Sequence, residues 1–322
     1  MLMLSYPKTQ KAALKGRHND LRRFNNRDLF DAVHVLIENG FMLQAIRDSK
    51  TGSLCPICHS DDSSTFEEGY LRCRHCGSIF SMEHVPQNFQ NATDAFYRRK
   101  DALCVPPRAD YAGADIERDL LIKSKCNIGS ALDIGAGNGN FLALLTSMGF
   151  DGWGIEPNAP RAAVARSAGM RINDKRFNPI ELESFGPAKF DLISMRDSIC
   201  YLDDLDSAMQ FCSDRLQPGG SLYIRILFAD SPYFRFKVGT IAGRVSSACT
   251  VLMSERALYD FVEKSGFEIT AKRTFAYPAN EILRTWKIPA IIRRLFAALL
   301  DRTVMRNFTP DYALIIARRR TI

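Results

Sequence analysis

The stretch at 131–141 reads ALDIGAGNGNF, an apolar run carrying one acid, then three glycines at alternate positions, then a helix-like segment. A strand, a glycine turn and a helix in that order restrict the chain to folds in which a nucleotide-type ligand meets the turn. The pattern repeats downstream. SALDIG is a buried strand and GNFLALLTSMG a helix ending at Gly149; GWGIEP is a strand and NAPRAAVARSAG a helix with an Asn cap and a Gly stop. FDLISM, PGGSLYIRIL, FEITAKRTFAY and DYALIIARR read as further strands, with helices at DDLDSAMQFCSDRL and SERALYDFVEKSG. Strands alternating with helices of these lengths predict an α/β fold with a parallel sheet covered on both faces. Ligands of such sheets bind beyond the carboxyl ends of the strands, where the chain order reverses.

The loop itself narrows the ligand. A dinucleotide loop is G-x-G-x-x-G, whereas here the order is Gly135-x-Gly137-x-Gly139 and Asn140 stands where the third glycine belongs. No G-K-[ST] follows, which removes a triphosphate loop. Asp133 precedes the first glycine, an awkward charge beside a pyrophosphate but a useful one beside a sulfonium and an ammonium. Glu156 ends the next strand, where a carboxylate can accept both ribose hydroxyls.

Upstream, CPICHSDDSSTFEEGYLRCRHC holds two C-x2-C pairs separated by 14 residues. Four thiolates at that spacing suit a closed tetrahedral zinc site of Cys55, Cys58, Cys73 and Cys76, structural because no ligand position stays open. About 30 residues bury too little apolar surface to fold alone, so the metal would supply much of the module's stability.

Composition bounds the rest. The chain has 322 residues, 46% apolar and 25% charged, an ordinary globular balance. Its net charge of +7 is uneven: residues 1–54 carry net +4 and 281–322 net +6, which leaves 55–280 at −3. Basic ends on a mildly acidic core weaken a nucleic-acid reading. No apolar run reaches the roughly 18 residues of a membrane span, the start lacks a signal-peptide pattern, and nine cysteines, four paired and five scattered, do not make a secreted disulfide scaffold. The expectation is a cytoplasmic protein. Its segments are a basic tail and helix (1–53, helical spacing over 28–47), a zinc module (54–84), a linker with a lead-in helix (85–127) and the α/β domain (128–322).

Over residues 128–276 and 310–320 the chain resembles the class I S-adenosylmethionine-dependent methyltransferases. LDIGAGNG looks like their first motif, Glu156 like the ribose-binding acid, and FDLISMRDSICYLDD with LQPGGSLYIRI like the fourth and fifth strands. The zinc module is similar to that of bacterial members that modify sugars, polysaccharide precursors and other small metabolites. The resemblance implies a Rossmann-like sheet of seven strands, the last antiparallel, with S-adenosyl-L-methionine across the ends of the first two. Gly135, Gly137 and Gly139 would form the loop at its methionine part, steadied by Asp133. Glu156 would hold the ribose, and Glu181 or, by preference, Glu183 the adenine.

The acceptor side is less defined. All five histidines precede residue 85, so the α/β region lacks the usual base, and His84 reaches the site only if the modules pack together. Where the resembling family often has Glu-His, this chain has Cys200-Tyr201. Tyr201 and Asp197 are the candidates to deprotonate or orient an acceptor, and Arg196 to hold a carboxylate or phosphate; fixing the loop and packing explain them equally. Two stretches exceed the minimal fold, 229–252 and 280–309, and suit lid elements. The first alternates Phe234, Arg235, Phe236 and Lys237; the second carries a basic amphipathic stretch at 288–300 that suits a membrane surface or its own domain. The leading expectation is methyl transfer to a small molecule or glycan precursor. The alternatives are an RNA methyltransferase that grips the backbone with its zinc module and basic ends, and a non-catalytic cofactor-binding scaffold.

Overall fold

The computed structural model describes residues 53–82, 89–99, 104–182, 184–231, 234, 241, 245–275 and 311–320. The 28–47 helix, His84, residues 235–237, the 280–309 insertion with its 288–300 stretch, and Glu183 lie outside the described residues.

Three short strands open the order: β1 (Ser63–Glu67), β2 (Tyr70–Cys73) and β3 (Ile79–Ser81). Helices α1 (Phe89–Arg99) and α2 (Ala114–Lys123) lead to β4 (Ser130–Ile134), α3 (Asn140–Ser147), β5 (Asp151–Ile155), α4 (Ala159–Ser167) and β6 (Arg171–Asn173). Then come β7 (Phe190–Arg196), a 3-10 turn (Ile199–Tyr201), α5 (Leu205–Arg215) and β8 (Leu216–Leu227). β9 (Val251–Leu252), α6 (Glu255–Lys264), β10 (Phe267–Phe275) and β11 (Tyr312–Arg319) complete the order.

The main sheet runs β10-β11-β8-β7-β4-β5-β6. β4 pairs in parallel with both β5 (Ile134↔Ile155) and β7 (Ile134↔Met195), so the chain reverses its walk there. β11 is antiparallel to β8 and to β10. The expected seven strands with an antiparallel last one are therefore present. Alternate side chains divide between two cores, as a pleat of period two requires. Leu132, Ile134, Ile193, Met195, Leu222 and Ile224 fill one face. Ala131, Leu192, Tyr223, Leu314 and Ile316 fill the other, under α2, α3 and α4. Side-chain caps start α4 (Asn158, accepting from Arg161 N), α5 (Asp204, from Ser207 N) and α6 (Ser254, from Ala257 N).

A second sheet, β1-β2-β3-β9, joins the cysteine module to the α/β domain. β9 comes from the 229–252 stretch and pairs antiparallel with β3 (Ile79↔Leu252, Phe80↔Val251). Cys55, Leu71, Cys73 and Phe80 share one buried cluster with Met253, Ala257 and Phe261. Part of the expected lid is thus a strand beneath the cysteine module.

At Gly154 strand β5 lies close against β6, α3 and the glycine turn. A methyl there would lie 2.6 Å from Ile172 Cδ1, 2.8 Å from Leu142 Cδ1 and 2.9 Å from Ala136 Cβ. Gly154→Ala is expected to lower stability by about 1–3 kcal/mol through overpacking, read as a lower urea midpoint at unchanged slope.

Candidate functional site

The glycine turn is built by backbone. Gly135, Gly137 and Gly139 have φ of 84°, 60° and 90°, which L side chains rarely adopt. The Gly135 and Ala136 amides donate to the Ile155 carbonyl (2.8 and 2.9 Å), tying the turn to the end of β5. Behind the turn space is filled: a Cβ at Gly135 would lie 2.3 Å from Ser198 Cβ, at Gly137 2.2 Å from Arg161 Nη2, and at Gly139 2.2 Å from Met170 Sδ. Gly135 lines the cavity in front of the strands, together with Ala136 and Asn138. Gly137 and Gly139 are not among its walls; their contribution is conformational.

Glu156 stands at the centre of this arrangement. Its Oε2 accepts from Gly137 N at 2.6 Å and its Oε1 from Asn158 N at 2.8 Å. Arg161 Nη1 is 3.8 Å away. The carboxylate is 4% exposed yet borders a cavity of about 440 Å³ at the carboxyl ends of β4, β5 and β7. Helix α1, which sequence reasoning left in a linker, forms another wall through Thr93 and Tyr97. Asn158 Nδ2 donates to Thr93 Oγ1 (3.1 Å) and Asp94 Oδ1 (2.5 Å), and Arg161 lies 3.8 Å over the Tyr97 ring. Arg176 and Phe177 also line the cavity. Glu181 does not line the cavity; it pairs with Lys175 at 3.2 Å.

The candidates at the end of β7 enter a network that the sequence did not show. Arg196 Nη2 and Arg225 Nη1 both donate to Glu117 Oε1 of α2, each at 2.9 Å, and Tyr111 Oη donates to Oε2 of the same carboxylate. Arg196 is wedged by the rings of Phe141 (4.5 Å) and Tyr111 (5.1 Å). It is committed to Glu117 rather than presented as an unpaired cation. Asp197 Oδ2 accepts from Arg225 Nε at 2.9 Å, while its buried Oδ1 has no hydrogen-bond partner among the described residues. Asp197 also has φ of 55°, a strained conformation for a residue with a side chain, of the kind that clusters at functional sites. Tyr201 Oη accepts from Ser246 N at 3.1 Å, and burial pushes its phenol well above the ordinary value. Glu117 was invisible because ADIERDLLIK reads as an ordinary surface helix. Arg225 left a signal, a charge inside the apolar strand SLYIRIL.

The four predicted cysteines do come together. Their sulfurs all lie within 4.8 Å of one another, with Cys55–Cys76 at 3.6 Å and Cys58–Cys73 at 3.5 Å. A disulfide needs about 2.05 Å, whereas sulfurs tetrahedrally placed about 2.3 Å from a zinc ion stand about 3.8 Å apart. The two knuckles match: His59 and Gly77, each following a second cysteine, have φ of 57° and 77°. His59 N and Gly77 N close the turns on the carbonyls of Cys55 and Cys73.

Asp133 is buried and does not line the cavity; its Oδ1 accepts from Ser194 Oγ at 2.7 Å and its Oδ2 has no partner among the described residues. Burial pushes its carboxyl up to about 6, opposed by Arg196 and the Ser194 hydroxyl. A raised acid costs nothing below its unfolded pKa, and the cost is complete once pH has risen through the folded one, here amounting to about 3 kcal/mol. Asp133→Asn is therefore expected to melt higher than the wild type near pH 7.5, with the gap closing near pH 4. A pH-independent gap in calorimetric melts would refute this origin.

The fold places this chain among known proteins. It is similar to a chain in the Haloferax volcanii complex between a methyltransferase activator and a methyltransferase, with a TM-score of 0.51, 16% identity, and 73% of this chain and 99% of that one covered. S-adenosylmethionine-dependent methyltransferases from Mesorhizobium loti (TM-score 0.47, 20% identity, 65% and 99% covered) and Thermotoga maritima (0.47, 17%, 72% and 98%) are also similar. No curated protein matches the sequence. A family model described as a methyltransferase domain matches residues 104–272, from the segment before α2 into β10. That match takes in the glycine turn, Glu156 and the whole Glu117–Arg225–Asp197 network, so the chain belongs to the methyltransferase-domain family.

Proposed function

We propose that this protein transfers a methyl group from S-adenosyl-L-methionine to a small molecule or glycan precursor. The observation that carries the reading is Glu156, a nearly buried carboxylate held by two backbone amides at the edge of a cavity that opens on the glycine turn. Each of its oxygens keeps a lone pair after accepting one amide, enough for the two hydroxyls of a ribose. Gly135, Ala136 and Asn138 suit the methionine end, and Arg176 with Phe177 the base. Bound, the cofactor supplies an electrophilic methyl on a sulfonium.

The chain's part is alignment and proton handling. Asp197, whose partly exposed side chain lines the cavity, is the group to orient an acceptor hydroxyl and take its proton as the oxygen attacks. Tyr201, also in the cavity wall, helps to orient the acceptor. Arg225 borders both this cavity and a neighbouring one of about 260 Å³, whose other walls include the stacked rings of Phe275 and Tyr312 (5.7 Å apart). A ring-bearing acceptor of modest size fits that second space. The RNA reading is disfavoured because Arg72, a cation of the cysteine module, turns inward to the Ala229 carbonyl (3.0 Å) and the Phe66 ring. We assign one structural zinc to Cys55, Cys58, Cys73 and Cys76. Among the described residues no helix is long and apolar enough to cross a membrane.

Calorimetry with S-adenosyl-L-methionine tests the donor, and absence of binding to the zinc-loaded chain would overturn it. Glu156→Gln is expected to weaken binding about tenfold, matching the loss of charge-assisted hydrogen bonds. With radiolabelled donor and a panel of sugar nucleotides and small hydroxylated metabolites, Asp197→Asn is expected to lose turnover by about 100-fold or more while still binding donor. Metal analysis should return one zinc per chain, lost in Cys58→Ser.

A further inference from the structure

Residues 246–252 are gripped from two sides. On one side is the cysteine module. Tyr70 Oη donates to the carbonyls of Cys249 (3.0 Å) and Ser247 (3.3 Å), Ser81 N donates to Thr250 O (2.8 Å), and β9 completes the module's sheet. Just beyond, Ser254 Oγ donates to the carbonyl of the metal-site residue Cys76 at 2.6 Å and at the same time caps α6.

On the other side is the turn that walls the cavity. Thr250 N donates to Cys200 O at 2.8 Å, and Thr250 Oγ1 lies 3.1 Å from Cys200 O and 3.2 Å from Leu202 O. Ser246 N donates to Tyr201 Oη. Tyr201 and Leu202 border the cavity, and Cys200 shares a buried cluster with Tyr70, Ile79, Cys249 and Leu252. The span from sulfur site to cavity wall is thus a continuous set of short hydrogen bonds across one segment.

We propose that this segment couples the four-cysteine metal site to the cavity, with Thr250, Ser246 and Tyr70 as positioning residues, so that metal binding and nucleoside binding strengthen each other. The inference rests on the zinc and cofactor readings above and goes beyond them. A folded cysteine module fixes the segment, the segment fixes the Ile199–Tyr201 turn, and the turn completes the wall. Because coupling between binding sites is reciprocal, a ligand in the cavity must tighten the hold on the metal by the same factor.

The test uses the full chain loaded with zinc and, as cavity probe, S-adenosylhomocysteine. Competition titration against a colorimetric chelator measures zinc affinity with and without saturating probe. Calorimetry measures probe affinity before and after zinc removal. The expected result is that the probe tightens zinc binding by about fivefold or more and that zinc removal weakens the probe by the same factor. Stripping the metal risks unfolding the chain, so the zinc-loaded variants Thr250→Val and Tyr70→Phe carry the decision. Each should retain one zinc, bind the probe more weakly than the wild type, and show a smaller effect of probe on zinc affinity. Equal zinc affinity with and without probe in the wild type, or full coupling in both variants, overturns the proposal. A wild-type chain that binds zinc but not the probe, or the probe but not zinc, overturns the corresponding earlier reading and this one with it.

Discussion

The Glu156 carboxylate is the tie on which the site depends. One oxygen holds the amide of Gly137 in the turn after β4, and the other holds the amide of Asn158, which caps α4. A single side chain thus joins the loop, the end of β5 and the next helix. Amide bonds to a carboxylate of low exposure are strong because little water competes for them. The same carboxylate faces the cavity, so what stabilises the loop also presents an acceptor to a ligand. Arg161 stands close enough to offset its charge while filling the space behind Gly137.

A second cluster, of two acids and two arginines, balances charge at the ends of β7 and β8. Glu117 accepts from both arginines, and Arg225 passes the interaction on to Asp197. Buried arginines are tolerable only when paired, and here Arg225 brings Asp197, a residue of the cavity wall, into the pairing. The strained backbone of Asp197 is held in place by its amide bond to the Arg225 carbonyl at 2.8 Å and by the carboxylate pairing. The cluster therefore fixes the geometry of a carboxylate in the cavity wall.

The cysteine module is bound into the body of the domain. Cys55 and Cys73 are buried among residues of α6 and its approach, and β3 finds its missing partner in β9. A small sheet gains stability from added strands and from packing against helices, and the strand donated by the α/β domain covers the open edge of β3. The 229–252 stretch, which its position makes a natural lid, is used at its C-terminal end as this connector.

Local pattern determined much of the architecture. Alternating apolar runs marked β4, β5, β7, β8, β10 and β11, the order of glycines excluded a dinucleotide loop, and two C-x2-C pairs brought four sulfurs together. These features are legible because backbone conformation and hydrophobic period act between near neighbours in the chain. β6 escaped, since three residues, RIN, are too few to show a period. What α1 covers, what Glu117 binds and where β9 pairs were decided only by tertiary structure. Glu117 and Arg196 are 79 residues apart in sequence, and Phe80 and Val251 are 171 apart. A charge on a helix or a threonine in a loop carries no sign of its distant partner, because the free energy that selects it arises only when the two surfaces meet.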